Sequence, residues 1–148
     1  MHGEQMAEDF PVVSVDSGAL EAVQLLAGRR LPGLIVVCED GTPYSVLPAS
    51  QVVRFLVPSY VQDDPSLARV IGEPIADQVA DKLSGVSVRQ LLPKEPAELP
   101  VVKHDDTVLE VAALMARLRS PLVAVVKDGR IIGAITASRL LELVAPPG

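Results

Sequence analysis

The chain has 148 residues, 49% of them hydrophobic, and a net charge of −6, which suits one compact core or two small ones packed together. Lys and Arg cluster only at Arg29–Arg30 and Arg117–Arg119, and 3% aromatic content comes without tryptophan; phosphate backbones and base-stacking surfaces are both poorly served. No apolar run approaches the ~18 residues of a membrane span, the start "MHGEQMAEDF" is polar rather than signal-like, and Cys38 is the single cysteine, so a reduced, cytoplasmic setting is expected.

In chain order, "PVV" at 11–13 reads as a short extended start. A helix follows, opened by Asp16 or Ser17. The β-branched run "LIVVC" reads as a buried strand with Cys38 inside it, "EDG" as a hairpin turn to a second strand, and "ASQVVRFLV" as a closing helix. In residues 58–98, Pro65-Ser66 and Pro74 read as helix starts. "IADQVADKL" is an amphipathic helix ending at Ser84-Gly85, and "SVRQLLP" a short helical turn. The order then repeats. "PVV" at 100–102 precedes a helix whose Thr107 and Glu110 have capping-box spacing, with Asp105 as the competing cap. Val108, Val111, Met115 and Leu118 recur at helical spacing and mark its buried face. "LVAVV", the "KDG" turn, a second strand and "ASRLLELV" complete it.

The two β-α-β-β-α passages are copies. Pro11, Val12, Val13, Asp16, Leu20, Glu21, Leu25, Ala27, Arg30 and Pro32 meet Pro100, Val101, Val102, Asp105, Leu109, Glu110, Leu114, Ala116, Arg119 and Pro121. After a one-residue slip, Ala49–Ser50 meets Ala137–Ser138. A duplication of this length decides the architecture: an α/β (α+β) fold of two units packed through their sheets with pseudo-twofold symmetry, because neither is large enough to bury its sheet alone. The divisions are 6–57 for the first repeat, 58–85 for an ordered helical connector, and 86–146 for the second.

Catalysis finds little footing. His2 and His104 are the only histidines, and a nucleophile needs a base and an orienter within reach. Cys38 is expected to be buried and inert, Asp63–Asp64 and Asp105–Asp106 look like caps, and no ligand spacing for a metal is present.

Tandem units with "PVV…D…L", a "P-apolar-V-V-x-D-G" strand and turn, and a closing "G-apolar-apolar-T-x-x" helix start resemble a pair of CBS domains, the family named after cystathionine β-synthase. The resemblance covers residues 10–144. It implies a non-catalytic regulatory module, often a homodimer, that binds an adenosine-containing ligand (AMP, ADP, ATP, S-adenosylmethionine or NAD type) between its units and regulates a separate effector.

In the family's closing motif, a hydroxyl residue caps the helix near the ligand and an acid three positions on accepts from the ribose hydroxyls. The second repeat keeps Gly133 and Thr136 but has Arg139 at the acid's place. The first has Ser45, Pro48 and Gln51, a degenerate site. The resemblance therefore implies ligand contacts in the second repeat at Val101, Val102, His104, Ser120, Leu122, Ala134, Thr136 and Arg139, with Arg117 and Arg119 as phosphate contacts.

Each of these has a plainer reading. Thr136 is a good helix cap whether or not it meets a ligand. Arg139, unfavourably placed in a first helical turn, pairs either with Asp105 or a neighbouring chain, or with a ligand phosphate. Arg117, Arg119 and Ser120, like Arg29 and Arg30, also suit a solvated helix end, and His104 a polar loop. A ligand-free dimerisation or interaction module is the competing function, and an anion site independent of any adenosyl group is a third.

Overall fold

The protein is described here by a computed structural model, which describes residues 1–57, 63–66 and 75–146. The elements are α1 (Gly3–Met6), β1 (Val12–Ser14), α2 (Ala19–Gly28), β2 (Gly33–Val37), β3 (Pro43–Pro48), α3 (Ala49–Leu56), α4 (Ile75–Leu83), α5 (Val88–Leu91), β4 (Val101–Lys103), α6 (Val108–Leu118), β5 (Leu122–Lys127), β6 (Arg130–Thr136) and α7 (Ala137–Val144). Two three-stranded sheets form, β1-β2-β3 and β4-β5-β6. In each, the outer pair linked through a helix is parallel and the hairpin pair antiparallel. Both hairpins carry a register shift at the same place, Val36/Val37 and Val125/Val126.

The strand interiors explain the continuous apolar runs. Leu34 and Val36 of β2 join a core with α2, α3 and the α4–α5 region. Their alternates Ile35 and Val37 meet Leu122, Ala124 and Ala134 of the second sheet, together with Val46 and Leu99. Val123 and Val125 of β5 turn to the second unit's helices. Strand side chains alternate faces, so a strand covered on both sides must be apolar throughout. Face-to-face packing through the sheets therefore holds. The β5–β6 turn has positive φ at both Asp128 (52°) and Gly129 (77°), the conformation a two-residue hairpin of right-twisted strands demands.

Two segments cross over. Residues 2–8 precede β1, yet they dock on the second unit: Gly3 and Glu4 amides donate to the Asp106 and His104 carbonyls (both 2.8 Å), and Glu8 exchanges two backbone bonds with Ala134. Fully buried Met6 joins the second core. Residues 83–92 precede β4 and dock on the first unit in the same manner. Val88 and Arg89 amides donate to the Ser17 and Val15 carbonyls (2.8 and 3.0 Å), and Leu83, Val88, Leu91 and Leu92 join the first core. The short helices correspond down to their start: the Gln5 side chain accepts from the His2 amide, and that of Gln90 from the Ser87 amide (2.8 and 2.9 Å).

Several local expectations are corrected. Helix α2 is opened by Gly18, with no side-chain cap; Ser17 instead accepts from the Ser14 amide and Asp16 pairs with Arg89. Leu118 is 48% exposed rather than buried. Cys38 lies one residue past β2 and is half-buried, where its amide donates to the Thr42 carbonyl (2.8 Å) and its carbonyl accepts from the Gly41 amide (2.9 Å) in the turn of the hairpin. Asp64 accepts from Ser66 in a turn at 65–66, and the helix start at Pro74 lies outside the described residues. Thr107 caps α6 through the Glu110 amide, while Asp106 accepts from the Lys103 amide.

Candidate functional site: a cleft shared by both repeats

A cavity of about 590 Å³ opens where the two sheets meet residues 92–100, the proline-rich connector from α5 to β4, which lies within the second division and not in 58–85. The first repeat contributes Val46, Pro48 and Gln51. The second contributes Pro100, Val101, Leu114, Leu118, Arg119, Ser120 and Pro121, and the connector Pro93, Ala97, Glu98 and Leu99. Its floor is apolar; Arg119 and Glu98 bring one charge of each sign. Pro48 is the N-cap of α3 and offers no side-chain cap, and the first amide of the helix, Ala49, donates to the Pro32 carbonyl (3.0 Å). Arg119 sits at the C-cap of α6 with φ 51°, a left-handed conformation uncommon outside glycine. Arg30, its counterpart in the first repeat, has the same φ.

Among the expected contacts, Val101, Ser120 and Arg119 line this cavity together with Pro48 and Gln51 of the other repeat. The rest lie elsewhere. Val102 is buried in the second core, while Leu122 and Ala134 are fully buried between the sheets. His104 meets Glu4 at 3.1 Å. Thr136 caps α7 by accepting from the Arg139 amide at 3.1 Å. Arg139 pairs with Glu142 (2.9 Å) rather than Asp105, and its buried Nε has no hydrogen-bond partner among the described residues. Arg117 lies in the last turn of α6.

Two hydrogen-bonding groups at the cavity are already engaged. Gln51 Nε2 donates to the Leu91 carbonyl at 3.1 Å, and Ser120 Oγ donates to the Leu122 carbonyl at 2.6 Å. Gln51 keeps its Oε1 as an acceptor, a neutral group where an acid would carry charge.

A CBS-domain profile matches residues 88–146. A crystallised CBS domain-containing protein of unknown function from Kribbella flavida is 82% identical, with 99% of each chain covered and a TM-score of 0.90. The chain belongs to the CBS-domain family. The CBS domain of a CBS domain-containing membrane protein from Sphaerobacter thermophilus shares the fold at 18% identity, covering 97% of this chain and 88% of that one, with a TM-score of 0.73. CBSX2, solved in complex with AMP, is similar at 18% identity, with 96% and 94% covered and a TM-score of 0.67. No curated protein matches the chain.

For this CBS pair, sequence reasoning missed the connector's share of the cavity. The proline-punctuated run "LPKEPAELP" was the available signal, since Pro93, Pro96 and Pro100 favour an extended path. Among the described residues, no group of three or more His, Cys, Asp or Glu is placed for a metal, and no helix is long and apolar enough to cross a membrane.

Proposed function

We propose that this chain is a non-catalytic, cytoplasmic regulatory CBS pair, with 6–57 and 86–146 as its repeats and 58–85 between them, acting on a separate effector protein. Its cavity takes an adenosine-containing ligand of the AMP, ADP, ATP, S-adenosylmethionine or NAD type. The carrying observation is the composite cavity, in which Pro48 and Gln51 of one repeat meet Val101, Arg119 and Ser120 of the other. A flat apolar base suits the side chains near Val101, and an anionic group suits Arg119. The AMP complex of CBSX2 supports an adenine nucleotide as the first ligand to test. Thr136 and Arg139, the repeat counterparts of Pro48 and Gln51, are the ligand-contact residues proposed for a second site.

The test is thermal unfolding of dialysed protein with each ligand at millimolar concentration. A ligand at ~100 times its dissociation constant adds about 2.7 kcal/mol, a rise of roughly 5–10 °C for a chain of this size. Loss of that rise in Arg119→Ala assigns it to this cavity; loss in Arg139→Ala assigns it to the second site. No rise with any ligand would leave the second reading, a ligand-free homodimerisation module. That reading is favoured by the engaged Gln51 amide and by repeat-related exposed apolar residues, Leu20 with Leu109 and Val53 with Leu141, which suit a second copy.

A further inference from the structure

The cavity has unequal walls. Two belong to regular elements, the start of α3 and the junction of α6 with β5. The third is the connector, where Pro93, Ala97, Glu98 and Leu99 reach the cavity along a path without helix or strand from Pro93 to Pro100, broken only by a single bridge at Glu98. Prolines at 93, 96 and 100 supply no amide donors. Residues 93–95, 97 and 98 are exposed, whereas Leu99 is buried.

The hydrogen bonds holding this wall to the first unit are few. The Leu99 amide donates to the Tyr44 carbonyl (3.3 Å), Ser45 Oγ to the Ala97 carbonyl (2.5 Å), and Gln51 Nε2 to the Leu91 carbonyl (3.1 Å). Leu91 ends a four-residue helix whose last carbonyls lack intrahelical partners, so Gln51 supplies one from the neighbouring element. Ser45 is the one fully buried polar residue in the described core, and an unmatched hydroxyl there would be costly. Both residues replace their repeat counterparts, Gly133 and Arg139, which make neither bond.

We propose that Ser45 and Gln51 are positioning residues that hold residues 93–98, the stretch between the buried anchors Leu91, Leu92 and Leu99, as the movable wall of the cavity, so that an occupant is read out through how firmly that wall is held. This rests on the reading of the cavity as a ligand site. An occupant touching Glu98 and Leu99 on one side and Arg119 on the other bridges the connector to the second unit. It therefore biases the wall toward its closed position in proportion to its differential contacts with the two states.

Trypsin reports on the wall directly, because Lys94 is exposed within it and Arg130 is exposed on the far hairpin. Cleavage after Lys94 tracks local opening when opening is fast. Gln51→Leu and Ser45→Ala are each expected to speed cleavage after Lys94 about five-fold, the weight of one net hydrogen bond, while cleavage after Arg130 stays constant. AMP, as the probe, is expected to slow Lys94 cleavage in the unsubstituted protein. Unchanged Lys94 cleavage in both variants would overturn the clamp, as would an equal rise at Lys94 and Arg130, which marks global loosening. AMP that raises the unfolding temperature yet leaves Lys94 cleavage unchanged would sink the readout and leave ligand binding standing. If no adenosyl ligand raises the unfolding temperature, ligand binding and the readout fail together, and the clamp stands or falls on the two variants.

Discussion

The two units use one plan under opposite charge. On the second unit, the crossing segment brings Glu4 to Lys127 and His104, each at 3.1 Å. On the first, its counterpart Arg89 comes within 3.7 Å of Asp16, beside Glu39, whose carboxyl is raised chiefly by the neighbouring Asp16. The close approach differs too. Gly133 lies so near the crossing segment that a Cβ there would be 2.5 Å from the Glu8 carbonyl oxygen, whereas Ser45 keeps its side chain and donates to Ala97. Exposed ion pairs are individually weak. Exchanging the segments, however, would set Glu4 against Asp16 and Glu39, and Arg89 against Lys127, so the pattern opposes mispairing. A duplicated fold has thus been made unequal where its halves reach for each other.

The comparison breaks first, and by most, at the buried anchors. Met6→Ala and Leu91→Ala remove fully buried side chains and are each expected to cost about 2–5 kcal/mol in denaturant unfolding. A cost below about 0.5 kcal/mol for Met6→Ala alone would mean that the N-terminal segment does not dock in solution.

A smaller effect tests the close approach. Gly133→Ser installs the first unit's residue in the second and is expected to cost about 1–3 kcal/mol through the clash with Glu8. The reverse change, Ser45→Gly, loses one hydrogen bond and is expected to cost about 1 kcal/mol. Equal costs would show that the two approaches are interchangeable.

Capping provides a gain. Helix α6 has Thr107 and Glu110 reciprocally bonded, while α2 starts at Gly18 with extended φ and open space for a Cβ. Gly18→Ser, with Glu21 already at the third helical position, is expected to stabilise by a few tenths of a kcal/mol, read as a small rise in the unfolding midpoint.

The smallest effect is in pH, since the groups are exposed. Glu4 is held below its ordinary value, chiefly by Lys127. Its contribution is complete above the unfolded value of about 4.3 and is lost as pH falls through the depressed folded value. Glu39 is shifted upward by Asp16, so its repulsion is relieved as pH falls through that raised value. Hydrogen exchange between about pH 6 and about pH 3, corrected for intrinsic rates, should therefore show Gly3 and Glu4 losing protection at the acid end while Val88 and Arg89 hold or gain it. Parallel loss in both pairs would refute the opposition of charge.

Much of this was legible locally. The hairpin at Asp128-Gly129, the strand runs, the amphipathic α4 ending before Gly85 and the cap at Thr107 depend on near neighbours and matched their expected places. The cap of α2 was not legible, because Asp16 and Ser17 had competing partners, Arg89 far along the chain and Ser14 nearby. The cavity was harder still. The motifs grouped Val101 with Thr136 and Arg139 in a cleft between the units, and the fold sets Val101 beside Pro48 and Gln51.

The order of elements and the apolar strands were readable along the chain, since hydrophobic periodicity and turn chemistry act within about a dozen residues, and the duplication followed from comparing its two halves. Which segment closes which unit, which motif positions share a cavity, and that Ser45 and Gln51 bond to residues 91–97 emerged with the three-dimensional packing. Those outcomes depend on contacts between residues far apart in the chain, such as Gln51 with Leu91 and Met6 with the second core, and two similar repeats give a local pattern no means of telling its own partner from its copy's.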